Sequence, residues 1–253
     1  MIDEKRKEVL ELLLENRNPG KIIKENLPQY LYKYRSGSEW DLEALENDSI
    51  WMGSAMQMDD PLDSRLLLTD EFRAQIKDVV NKVERFKNEK YSVHLNDNSI
   101  QRDCFLCSLS EVSDSDDMWE RYANNEQGFC IEYNAQELIC QIRLLLLPVY
   151  YGEKLQYDAK TLSSLSKETL IFNNFLIKNK VGVNGEDWYS QREWRIIGFR
   201  ESLGLSENEK GKCISIIKPT RIILGKYVRD SVKIRIMNWK ERDENKNVTI
   251  EQR

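Results

Sequence analysis

The chain is 253 residues long, 40% apolar and 32% charged, with a net charge of −5; its mean hydropathy of −0.63 and the lack of any apolar run near ~20 residues exclude a membrane-spanning helix. The start, Met1-Ile2-Asp3-Glu4-Lys5, lacks the apolar stretch of a signal peptide, so a cytoplasmic location is expected, with the five cysteines reduced. Residues 211–253 hold eleven Lys/Arg against five Asp/Glu, dispersed among isoleucines and valines, which reads as neutralisation of an acidic body rather than a face for nucleic acid.

In chain order, the spacing of Val9, Leu10, Leu13 and Leu14 predicts a peripheral helix over 3–16, stopped at Asn18-Pro19-Gly20. Alternation of aromatic and cationic residues predicts a strand over 30–35, with Lys33 and Arg35 on one face and Tyr32 and Tyr34 on the other. A short helix over 41–47 with Asp41 as N-cap, a strand over 50–54 and an acidic turn at 59–63 follow. Apolar residues at helical spacing from Phe72 to Phe86 predict a long helix over 69–90, and 88–98, with the only histidine, His94, reads as a loop. Strands over 104–109, 128–133 and 147–151 alternate with helices over 116–124 and 135–145, and a second long helix is expected over 161–180. After a strand over 188–199 and a polar loop over 201–212 come strands over 214–217 and 221–224, a helix over 229–239 and a final strand over 247–251.

Strands and helices interleave irregularly, with no glycine-rich phosphate loop. That pattern predicts an α+β fold: a mixed, largely antiparallel sheet flanked by helices, as one domain over 29–253 with an N-terminal helical extension over 1–28. Cys104 and Cys107 would point to opposite faces of one strand, and a lone histidine supplies no partner for a zinc site or a nucleophilic triad, so no metal is expected.

The most informative run is Gln191-Arg192-Glu193-Trp194-Arg195. As a strand it places Gln191, Glu193 and Arg195 on one face, and three polar groups there are costly unless they line a cleft or pair with each other. An active site and a buried Glu193–Arg195 ion pair are both open readings.

Several strings fall in order: Leu31-Tyr32-Lys33-Tyr34-Arg35-Ser36, Asp59-Asp60-Pro61-Leu62-Asp63, Cys107-Ser108-Leu109-Ser110-Glu111, Met118-Trp119-x-x-Tyr122-Ala123, Gly128-Phe129-Cys130-Ile131-Glu132-Tyr133 and Glu193-Trp194-Arg195. Over residues 30–225 they resemble a widespread bacterial domain family of unknown function, with Asp59 and Leu62 in place of the usual Asn and Phe. The layout also distantly resembles the ADP-ribosyltransferase superfamily: a basic residue on an early strand, a central Ser-x-Ser strand and a late Gln/Glu-x-Glu strand. That resemblance implies an ADP-ribosyltransferase-like fold and NAD as substrate. Glu193 would face the ribose 2′-hydroxyl and the developing positive charge, with Gln191 beside it on the acceptor. Lys33, Tyr34, Arg35, Ser108, Ser110 and Arg195 would hold the dinucleotide, and Trp119 or Tyr122 would stack on a flat ring. It further implies a transferase or glycohydrolase, a protein or nucleic-acid acceptor, and by analogy a toxin or phage-defence effector restrained by an antitoxin or other regulatory partner. Two alternatives stand beside it: a non-catalytic ligand-sensing or interaction module, and a metal-dependent nuclease built on Asp59, Asp60 and Asp63.

Overall fold

The structure is a computed structural model that describes residues 1–60, 62–85 and 99–253. Pro61, the span around His94 where a loop is expected, and the last residues of the long helix expected from 69, including Phe86, lie outside the described residues.

The elements run α1 (Asp3–Leu14), α2 (Gly20–Glu25), β1 (Tyr30–Arg35), α3 (Glu39–Glu46), β2 (Ser49–Ser54), β3 (Leu67–Leu68), α4 (Asp70–Arg85), α5 (Ser99–Asp103) and β4 (Cys104–Ser110). Then come α6 (Asp116–Tyr122), β5 (Phe129–Asn134), α7 (Ala135–Gln141), β6 (Leu145–Pro148), β7 (Tyr150–Tyr151), β8 (Gln156–Tyr157), α8 (Ala159–Ser164), α9 (Lys167–Leu176) and β9 (Ile177–Lys178). The chain closes with β10 (Glu193–Phe199), α10 (Arg200–Leu203), β11 (Gly211–Ser215), β12 (Arg221–Leu224), α11 (Asp230–Lys240) and β13 (Thr249–Gln252).

The fold is α+β. Nine strands form the main sheet, in the order β11-β2-β4-β1-β5-β12-β13, with β10 and then β6 added on β4. Every pairing in it is antiparallel except β12 with β13. Two-stranded parallel ladders, β3 with β8 and β7 with β9, lie outside it.

β4 organises the sheet. One edge pairs with β10 along the whole strand, from Cys104↔Phe199 to Ser110↔Glu193. The other edge is shared: β2 takes Phe105 and Leu106, while β1 takes Ser110. Between those two pairings β1 and β2 diverge, and the middle of β4 meets no strand on that edge. The Ser108 carbonyl there accepts instead from Lys33 Nζ at 2.8 Å, which meets the requirement that a backbone acceptor be satisfied.

The main core packs Leu31, Ile131, Tyr133, Trp194 and Ile196 from the sheet against Val9 and Leu10 of α1, Leu42 and Leu45 of α3, Leu138 of α7 and Trp239 of α11. A smaller core on the opposite face seats α6 against Tyr34, Cys130 and Ile223. Within the cationic C-terminal segment, Arg221 pairs with Glu132 and Glu251, and Arg235 with Glu39 and Glu46.

Four expectations need correction. α1 is not peripheral: Val9 and Leu10 are buried in the main core, each worth about 1.5–3 kcal/mol, and Arg6 is buried with them. Asp41 is not the N-cap of α3; Ser38 is, with Asp41 completing a capping box three residues on. The expected helix over 161–180 is broken at Leu165 and Ser166, where the Ser166 hydroxyl accepts from the Thr169 N–H and starts a new helix; the end of that span is strand β9. The expected strand over 188–199 starts only at Glu193, because residues 189–191 form a single 3₁₀ turn and Arg192 sits in the left-handed region at φ 46°.

Candidate functional site

The divergence of β1 from β2 opens a cavity of about 260 Å³. Its walls include Lys33, Tyr34 and Arg35 of β1, Ser108 and Ser110 of β4, Tyr122 of α6, Lys178 of β9, and Gln191 and Glu193. Three segments far apart in sequence therefore reach one hollow. The register explains how the polar side chains meet: Ser110 lies opposite Glu193 and Ser108 opposite Arg195, so all four project from the same face of adjacent strands.

Glu193 is the focus. Its Oε1 accepts from Ser108 Oγ at 2.5 Å and Arg195 Nε at 2.7 Å. Its Oε2 accepts from Arg195 Nη2 at 3.1 Å and Lys178 Nζ at 3.3 Å. Burial would push this carboxyl up, but Arg195 and Lys178 outweigh it and hold Glu193 below the ordinary carboxylate range. It is ionised at neutral pH, in a buried setting where charge acts strongly.

Behind it, Arg195 is fully buried. Its Nη1 donates to Asp63 Oδ1 at 2.9 Å and the Phe175 carbonyl at 2.8 Å, and its Nη2 to Asp63 Oδ2 at 2.5 Å. With the two bonds to Glu193, all five guanidinium donors are used. Asp63 is held low in the same way, burial opposing and Arg195 and Lys178 prevailing. Lys154, donating to the Leu62 carbonyl at 2.6 Å, is lowered to about 8 by burial despite nearby Asp63.

Gln191 reaches the site although it is not on the strand. The left-handed turn at Arg192 swings it inward, where Oε1 accepts from Lys178 at 3.0 Å and Nε2 donates to the Tyr122 hydroxyl at 3.0 Å. Ser110 is structural in its bonds: its hydroxyl donates to the Gln191 carbonyl at 2.7 Å and accepts from the Val112 N–H at 3.1 Å. Tyr34 lines the cavity but donates its hydroxyl to the Val112 carbonyl at 2.9 Å.

On the opposite wall Lys33 has no carboxylate within ion-pair distance among the described residues; burial, chiefly, lowers its pKa, with Arg35 adding to the effect. Arg35 pairs with Asp41 at 3.5 Å, and its buried Nε has no partner. Both have donors to spare for an anion.

Two expected ligand-binding residues do not fit. Trp119 is fully buried in the small core, edge-on to Tyr34 at 5.3 Å, with its indole N–H on the Ser113 carbonyl at 2.8 Å; it meets no cavity wall. Arg195 has no donor left and no exposed surface, so it braces Glu193 rather than touching a ligand. In the acidic turn, both Asp63 oxygens are committed to Arg195 and Asp60 Oδ1 accepts from the Leu62 N–H at 2.9 Å. No group of three metal-ligating side chains occurs among the described residues. Lys178 is not among the expected site residues, because the pattern over 161–180 predicts helix where Ile177–Lys178 is a strand; a lysine beside Ile177 just after an apolar run is the available signal.

A family model described as "Protein of unknown function (DUF2971)" matches residues 118–196. The matched stretch runs from α6 into β10 and includes Tyr122, Lys178, Gln191, Glu193 and Arg195, while Lys33, Arg35, Ser108 and Ser110 fall outside it. Searches of curated proteins and of solved structures returned no match.

Proposed function

We propose that the cavity binds NAD and that the chain cleaves its nicotinamide–ribose bond, as an ADP-ribosyltransferase or NAD glycohydrolase. The observation that carries this reading is the convergence of Lys33 and Arg35, Ser108, and Gln191 with Glu193 on one hollow. Loss of nicotinamide leaves positive charge on the ribose, and a buried, ionised Glu193 is the group placed to stabilise it. Ser108 presents a hydroxyl that a ribose 2′-hydroxyl would replace on Glu193 Oε1. Lys33 and Arg35 supply cations for the pyrophosphate, and Gln191 offers an amide near the acceptor side. The late Gln-x-Glu and central Ser-x-Ser strings support the ADP-ribosyltransferase analogy. In a bacterial cell, such an activity fits a toxin or phage-defence effector that modifies a protein or nucleic acid and is restrained by a partner.

The test is nicotinamide release from NAD by purified chain, with and without cell extract. Wild type should turn over, Glu193→Gln should lose about a hundredfold or more, and Ser108→Ala, the milder change, should lose activity while keeping its fold. An inert wild type across protein, DNA and RNA acceptors would reject the reading.

One observation favours a ligand-sensing module instead. All four acceptor positions of Glu193 are filled, and its charge is balanced by Arg195 and Lys178. NAD binding without turnover would select that alternative.

A further inference from the structure

A cavity of about 260 Å³ is small beside the roughly 300–1,000 Å³ that enclose an ordinary ligand. A dinucleotide with its nicotinamide end at buried Glu193 must therefore leave its other end at the rim. At that rim stands Trp51 of β2, which lines the cavity and is 44% exposed. An isolated exposed aromatic means little. This one is held in place by its surroundings.

Gly53 and Gly211 face each other across β2 and β11, and the indole lies over both. A Cβ at Gly211 would come within 2.3 Å of Trp51 Cζ2, and one at Gly53 within 3.1 Å of Nε1. The paired glycines form a floor that accepts the ring at close range. Gln57 flanks the same spot, its Oε1 3.0 Å from where the Gly53 Cβ would be. It is exposed, lines the cavity, and its side chain makes no hydrogen bond with the described residues. A fixed flat ring beside a free carboxamide suits a planar heterocycle with a polar edge.

We propose that Trp51 is the stacking platform for the adenine of the dinucleotide and that Gln57 hydrogen-bonds the edge of that base. This rests on the NAD reading above and assigns the outer end of the ligand, which that reading leaves open. Lys33 and Arg35 on the same cavity would hold the linking phosphates.

The experiment is a calorimetric titration of wild type, Trp51→Ala and Trp51→Phe with AMP, NAD and nicotinamide mononucleotide, with a thermal melt confirming each fold. Trp51→Ala should weaken AMP and NAD by about tenfold and leave nicotinamide mononucleotide unchanged; Trp51→Phe should retain most of the affinity. Equal AMP binding by wild type and Trp51→Ala, an equal loss for nicotinamide mononucleotide, or no binding of AMP or NAD to wild type would each overturn the assignment. Nicotinamide release separates the two ideas. Turnover with an unchanged KM in Trp51→Ala rejects the platform and keeps the chemistry, whereas Trp51-dependent NAD binding without turnover keeps the platform and rejects the chemistry.

Discussion

Arg195 joins Asp63, the last residue of the acidic turn, to Glu193, 130 residues later, with every donor engaged and no exposed surface. Such a pair is sensitive to loss of one member, because the remaining charge is stranded in the interior. Asp63→Asn should therefore cost about 3–5 kcal/mol, read as a lower midpoint in urea; a cost under about 1 kcal/mol would mean that the pair is not buried as described. The same groups set an acid limit. Asp63 and Glu193 have folded pKa values below their unfolded ones, so their stabilisation is complete above the unfolded value near ~4 and is lost as pH falls through the folded values. Stability should drop below about pH 4, and less steeply in Asp63→Asn. Lys154 has the same sign in a more alkaline window. Between its folded value of about 8 and its ordinary 10.5, the unfolded chain keeps a proton that the folded chain has released, so its contribution to stability rises with pH. Melting wild type and Lys154→Met across that window should show the rise in wild type alone; parallel curves would contradict it.

Among the elements, α1 and β10 are tied by one side chain. Arg6 Nη1 donates to the Glu193 carbonyl at 2.8 Å and the Val149 carbonyl at 2.7 Å, while Nη2 reaches Glu111 at 2.7 Å. The helix thereby holds the backbone of the residue that faces the cavity. Arg6→Met should cost about 3 kcal/mol or more, since two buried carbonyls lose a charged donor; a change within about 0.5 kcal/mol, the usual range for a surface position, would show that α1 docks by apolar contact alone. Little of this was legible. Val9 and Leu10 announce a buried stripe, but an arginine among charged neighbours carries no mark of burial. The strands were readable where period-two alternation is strong: Tyr30–Arg35 appears with the expected ends, and Ser108 and Ser110 share a face as predicted. The miss at 189–192 has a local cause, since a left-handed arginine is rare enough that no pattern foretells it. The break at Ser166 was readable in principle, as a serine followed by an acidic first turn is a helix start.

For the molecule as a whole, the cavity exists because β1 and β2 compete for one edge of β4 and diverge. No sequence pattern specifies that divergence, as it depends on which strands pair over long range. What the sequence did carry was the chemistry of each wall, and of the expected residues Lys33, Tyr34, Arg35, Ser108, Ser110, Tyr122, Gln191 and Glu193 line the hollow while Trp119 and Arg195 do not. The most direct test is a crystal structure with an NAD analogue whose ribose ring oxygen is replaced by carbon, which cannot lose nicotinamide by the proposed route. A ribose hydroxyl should displace Ser108 Oγ from Glu193, with the pyrophosphate against Lys33 and Arg35. A ligand bound elsewhere, with the 2.5 Å contact between Ser108 and Glu193 intact, would contradict the account.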